Sequence, residues 1–266
     1  MNEALDSTRH PGTEPETRPS HEGGPTRMDP FRSDADPAFP GGSEASREAS
    51  TPGTPFPGVS LAPEHDWPAA AALLYPVLRP AGTIGTPLDS LATPMSAAGD
   101  TKPVIDPGPA DLVVAYAISA TGFDILASGD HVAAWSVSAA ALREAALQNL
   151  AAWSAGAPWS EEVEGRRRIL SSDTGDGWDA SRILLPEVTA HLATTLGQGS
   201  ARVLVGLPAR HLLLAGALQA DDPEFAPLFA DFVRDYAEDS DEAIDLRVFE
   251  LVGGHLVPFS TVAPPS

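Results

Sequence analysis

Residues 203–218 read VLVGLPARHLLLAGAL. Val203, Val205 and Leu207 predict one strand, and Leu212 to Ala217 predict its neighbour, joined through Pro208-Ala209-Arg210. Two strands meeting across so short a link form a hairpin. The same arrangement recurs toward the C-terminus. Leu246 to Val252 and His255 to Phe259 flank Gly253-Gly254, and a two-residue glycine loop between apolar runs is a strong hairpin signal. Toward the N-terminus, Leu112, Val114, Tyr116 and Ile118 alternate along one strand whose two faces are both largely apolar. Thr121-Gly122 turns the chain, and Phe123, Ile125 and Ala127 continue on the return strand.

Helices interrupt these pairs. Ser138 is a good N-cap for a helix over Ala139 to Trp153, with Leu142, Ala146, Leu150 and Trp153 as its apolar stripe. Ile169 and Leu170 suggest a short strand. Pro186 fits the first position of a second helix that buries Val188, Leu192 and Leu196 and stops at Gly197. The clearest helix runs from Asp222 to Tyr236, with Asp222 as cap and Pro223 as first residue. Phe225, Leu228, Phe229, Phe232 and Tyr236 share its face. The order is ββα(β)αββαββ. That order predicts an α+β fold, a mostly antiparallel sheet with helices packed on one face. A doubly wound parallel fold would need strict βα alternation. There is no internal repeat.

This folded part covers residues 111–260. Residues 1–63 differ from it in kind. They are rich in proline and glycine, and their large apolar residues (Met1, Leu5, Met28, Phe31, Phe39, Phe56, Val59, Leu61) follow no period. Such a stretch buries too little apolar surface to offset about 1–2 kcal/mol of chain entropy per residue, so it is expected to be a disordered tail. Residues 64–85 carry an apolar cluster, Trp67 to Arg79, and read as a short docking segment. Residues 86–110 read as a linker or loop, and 261–266 as a C-terminal tail.

Charge and composition exclude several functions. The formal net charge of the 266-residue chain is −21, which opposes nucleic-acid and anionic-membrane binding. No cysteine is present, so disulfides, thiol catalysis and cysteine zinc sites are out. No targeting segment and no run of roughly 20 apolar residues occurs, so the chain is expected to be soluble and cytoplasmic. G-x-S-x-G, Walker A, G-x-G-x-x-G and H-E-x-x-H are all missing, and the histidines are scattered. No cofactor and no metal are implied.

The densest constellation is Asp173, Asp176, Gly177, Trp178, Asp179 and Arg182. One reading is a small acidic site at Asp176, Asp179 and Arg182, with aspartate as base or cation ligand and arginine as anion clamp. The other is a tight turn in which Asp176 or Asp179 caps a helical turn and Asp179 pairs with Arg182 at i,i+3. Asp235, Glu238, Asp239, Asp241, Glu242 and Asp245 form an acidic run that reads as a solvated loop or as attraction for a basic partner or a cation. Arg166-Arg167-Arg168 reads as local charge balance or as an anion contact. His131, His191, His211 and His255 are isolated, and Trp135, Trp153, Trp159 and Trp178 read as packing residues.

GDGWDASRIL (175–184), with REAALQNL (143–150), YPVLR (75–79) and the LP turn within 203–218, resembles the YtpQ-like bacterial family, a domain of unknown function. The resemblance spans about 74–258. It implies a small soluble bacterial protein and no activity, and it carries over no catalytic or binding residue. Members usually begin with a structured N-terminal segment, where this chain has the proline-rich stretch. The match at 75–79 implies that this block docks onto the main domain as an edge strand. The expected function is a non-enzymatic binding domain for a protein or peptide partner, with an enzyme built on the GDGWDASR segment as the alternative.

Overall fold

The computed structural model describes residues 65–91, 99–120 and 123–260. The expected tails, 1–63 and 261–266, lie outside the described residues. The fold is α+β, and its strands form two sheets rather than one. The first contains β1 (Leu74–Arg79), β2 (Thr86–Pro87), β3 (Val104–Pro107), β4 (Val113–Ala120) and β5 (Phe123–Leu126). The second contains β6 (Ser160–Glu164), β7 (Arg167–Ser172), β8 (Arg202–Ala209), β9 (Leu212–Leu218), β10 (Val248–Val252) and β11 (His255–Pro258). Its order is β11-β10-β8-β9-β7-β6. Every pairing is antiparallel except the two-residue contact of β2 with β3.

The C-terminal hairpin sits where its turn predicts, whereas Pro208 and Ala209, expected in the β8–β9 link, stay in β8 past a register shift and leave the turn to Arg210-His211; Thr121-Gly122 lies outside the described residues. Gly253 and Gly254 both have positive φ, the backbone that a tight two-residue turn demands and that glycine adopts without strain. The docking segment forms a short helix, α1 (Trp67–Ala71), and then β1. Strand β1 runs the length of one edge of β4, from Leu74 opposite Ile118 to Arg79 opposite Val113. On the other edge of β4, β3 pairs with residues 113–115 and β5 with 117–120, end to end. The stretch 86–110, expected as a linker or loop, therefore supplies two strands. Their short lengths and prolines leave no periodic trace.

Among the described residues four further helices pack on these sheets: α2 (Gly129–Trp135), α3 (Ala139–Gly156), α4 (Pro186–Leu196) and α5 (Phe225–Glu238). Ser138 caps α3 as expected, accepting the Ala141 amide at 3.2 Å. Asp222 does not cap α5. That helix begins three residues later, and Arg167 holds the Asp222 carboxylate through Nε (2.6 Å) and Nη2 (2.8 Å).

The second sheet is covered on both faces, where helices on one face were expected. Val203, Val205, Leu207, Leu213, Ala215 and Ala217 look into a core shared with α3, α4, β1 and β4. The alternate residues Leu204, Leu212, Leu214 and Leu218 look the other way, onto Phe225, Phe229 and Val233 of α5. Alternation of apolar residues on both faces of β8 and β9 is what a doubly covered sheet requires.

Candidate functional site

The segment 175–184 joins the elements around it. Gly177 has φ +80°, and a Cβ there would lie 3.2 Å from Arg210 Nε. That close approach lets Arg210, from the β8–β9 turn, donate to the Gly177 carbonyl at 2.9 Å. The next residue, Trp178, is buried between two groups. The Tyr75 ring of β1 stacks on one side (centroids 4.5 Å apart, 15° between planes), and the Arg210 guanidinium lies 4.6 Å from the indole centre. Burial, with the Asp176 charge added, raises the Tyr75 pKa above its ordinary value.

Asp179 and Arg182 are 0% and 2% exposed. Asp179 does not cap the short 3₁₀ turn that follows it. Its carboxylate turns back instead, accepting from Ser172 Oγ (2.5 Å), Thr174 Oγ1 (2.8 Å) and the Thr174 amide (3.2 Å). Arg182 donates to the same Ser172 hydroxyl at 2.7 Å, so one serine bridges the two charges at i,i+3. The guanidinium also reaches the end of α3, donating to Ser154 Oγ (3.0 Å) and to the Ser154 (3.2 Å) and Ala157 (3.4 Å) carbonyls. A cation there meets the negative end of the helix dipole. Trp159 covers it, ring centre to guanidinium 4.1 Å. Burial lowers the Arg182 pKa, and Asp179 opposes the shift. Ser181 Oγ accepts the Leu78 amide of β1 at 3.2 Å, tying the segment to the first sheet.

The three expected site residues therefore do not converge on one pocket. Asp179 and Arg182 hold β7, α3 and the 175–184 segment together. Asp176 alone is at the surface, where it accepts from Trp153 Nε1 at 2.9 Å and faces a cleft with Asp124, His211 and Glu242. Arg210 in that cleft is committed to Gly177, Asp124 and Glu242. Among the described residues, no group of three or more histidines and carboxylates is placed to hold a metal ion. The three arginines 166–168 pair with Asp221, Asp222 and Glu161 in turn, so they are local charge balance.

A second polar cluster unites residues far apart in sequence. Asp106 of β3 accepts from Tyr116 Oη (2.5 Å) and from Arg143 of α3 through Nε (2.7 Å) and Nη2 (2.6 Å). Arg143 also donates to Asp89 at 2.7 Å. Burial works to raise the Asp106 pKa, but the hydrogen bonds from Arg143 and Tyr116 outweigh it, and the net shift is downward. Burial and Asp106 together raise that of Tyr116. A depressed carboxylate stabilises the fold above its unfolded pKa, about 4, and loses that contribution as pH falls through the folded value. Asp106→Asn should cost about 1.5–3 kcal/mol at neutral pH, the usual worth of a hydrogen bond to a charged group. Urea midpoints at stepped pH should show the gap between wild type and variant closing below about pH 4. A gap independent of pH would refute this account.

A further surface feature is α5. Its apolar residues form two adjacent rows. Phe225, Phe229 and Val233 face the sheet and are buried. Leu228, Phe232 and Tyr236 are 53%, 39% and 43% exposed. The rings of Phe232 and Tyr236 meet edge-on at 4.8 Å. Leu228 and Phe232 also line a groove of about 310 Å³ that runs from α5 to β6, with Ile169, Glu162, Glu164 and Arg167, whose guanidinium Asp222 holds. Neither glutamate forms an ion pair among the described residues. The helical period puts Phe225, Leu228, Phe229, Phe232 and Tyr236 on one broad face. The separate signal was the second i,i+4 row at 228, 232 and 236, which one sheet cannot also cover. Comparison with protein-family models, curated proteins and solved structures finds no match to this chain.

Proposed function

We propose that this domain binds a basic, apolar segment of a partner protein along α5. The observation that carries the reading is the exposed Leu228–Phe232–Tyr236 row, set among Asp231, Asp235, Glu238 and Asp239 and continuous with the groove that Glu162 and Glu164 help to line. Aromatic side chains at the surface offer large contact area at low entropic cost, and desolvated aromatics dominate interface energetics. The acidic surround selects a cationic partner and speeds its arrival. No helix among the described residues is long and apolar enough to cross a membrane. An enzymatic reading at Asp179 and Arg182 has no support, because both side chains are sealed from solvent.

The test is fluorescence anisotropy with a short labelled peptide of alternating arginine and valine, against an aspartate–valine control. The basic peptide should bind, the control should not, and added salt should weaken binding. Phe232→Ser should weaken it about tenfold or more while leaving the melting temperature nearly unchanged. Equal binding of both peptides, or an unaffected Phe232→Ser, would overturn the proposal.

A further inference from the structure

We infer that the partner segment binds in extended form, as a further strand on β6. The inference rests on the reading above and specifies how the partner is held. Strand β6 ends the second sheet, and all five of its residues, Ser160 to Glu164, are exposed. Among the described residues nothing pairs with its outer edge. The β6–β7 hairpin closes through Gly165-Arg166, with Glu164 opposite Arg167. Gly165 has φ +61°, as the first position of a type II′ turn requires. In such a hairpin the closing pair is hydrogen bonded, and bonding then alternates along the ladder. Glu164, Glu162 and Ser160 therefore spend their backbone groups on β7. Glu161 and Val163 turn theirs outward.

Side chains alternate in the same way. Glu162 lies opposite Ile169, and Glu164 opposite Arg167, on the face that α5 covers. Glu161 and Val163 lie on the other face. An added strand alternating arginine and apolar residues matches both. Its arginines would sit beside Glu162 and Glu164, as cross-strand opposite-charge pairs, with guanidinium planes over Phe232. Its apolar residues would cover Val163, which is now 60% exposed. Charge also chooses among occupants. A second copy pairing β6 with β6 would set its glutamates against these, and like charges across a strand pair repel. The edge thus resists self-association and accepts a basic strand, recognised mainly through its backbone.

The experiment uses the full chain and the arginine–valine peptide. Two further peptides carry N-methyl groups on the arginine amides or on the valine amides, which removes the donors on one edge of the strand. At least one should bind more than tenfold weaker than the parent. Val163→Pro removes an outward N–H without touching the β7 ladder. It should melt like wild type and bind the parent peptide more than tenfold weaker. Hydrogen exchange at the Glu161 and Val163 amides should slow only when the parent peptide is added. If the parent binds and is weakened by Phe232→Ser, yet both methylated peptides bind equally well, strand addition is wrong while binding along α5 stands. If the parent does not bind, the binding proposal itself fails. Protection of these amides before peptide is added would also overturn strand addition. Sedimentation would then assign the edge to the chain's own N-terminal residues if the protein is monomeric, or to a second copy if it is dimeric.

Discussion

Replacing Arg182 with methionine should destabilise the protein by about 3–5 kcal/mol, the usual cost of breaking a buried charge pair by removing one partner. For a folded part of this size that is a fall of roughly 10 °C or more in melting temperature. The size follows from what is left behind. Asp179 would lose its cationic neighbour in a fully buried position, with only Ser172 and Thr174 left to donate to it. The Ser154 and Ala157 carbonyls at the end of α3 would each lose the guanidinium's hydrogen bond. Methionine fills similar volume and still packs on Trp159, so the loss reports charge and hydrogen bonding rather than a cavity. Asp179→Asn, which keeps one acceptor oxygen, should cost less. The double variant should cost less than the sum of the two, because removing both charges leaves neither unpaired. Urea melts of the four proteins measure this coupling. Additive costs, or an Arg182→Met loss under about 1 kcal/mol, would mean that the pair does not hold the scaffold and is kept for another purpose.

How much of this was legible in sequence depends on whether the signal is local. The Gly253-Gly254 turn, the Ser138 cap and the Pro186–Gly197 helix are written in neighbouring residues, and each appears as read. Strand β6 was missed because SEEVE has no apolar face to bury, so alternation had nothing to mark. Strands β2 and β3 were missed because only their pairing with each other and with β4 defines them. Asp222 looked like a cap because its residue type and the following proline fit one. Arg167, 55 positions away, competes for the carboxylate and wins. The candidate site failed for the same reason. Spacing placed Asp179 and Arg182 within reach of each other, but only the fold decides that α3 and β7 close over them. The groove beside α5 was half legible. The apolar row at 228, 232 and 236 is in the sequence, but that it stays uncovered is a property of the sheet beneath.

That sheet is also where the second large effect is expected. Helix α5 lies on two glycines. A Cβ at Gly206 would stand 2.4 Å from Val233 Cγ2, and one at Gly216 would stand 2.8 Å from the Phe225 ring and 3.1 Å from Phe229. Neither contact can exist without moving the helix or forcing the partners off their rotamers, and such overpacking costs about 1–3 kcal/mol per site. Strand glycines are otherwise poor choices, so alanine would gain several tenths of a kcal/mol of backbone entropy, on the order of 0.5–1 kcal/mol, if space allowed. The predicted loss is therefore net of a gain. Gly206→Ala with Gly216→Ala should cost about 1–4 kcal/mol together. Val233→Ala removes the atom that Gly206→Ala strikes, so that pair should cost less than its two parts. Helix position also sets the groove, since Leu228 and Phe232 ride on α5 while Glu162 and Glu164 belong to β6. A helix lifted by Gly216→Ala separates the two walls. Binding of the arginine–valine peptide should then weaken even where the variant stays folded, whereas the Gly206→Ala/Val233→Ala pair, in which the clash with the helix is relieved, should bind it like wild type. If Gly216→Ala melts at or above wild type, α5 does not sit as closely as these distances require, and the groove beside it has another shape.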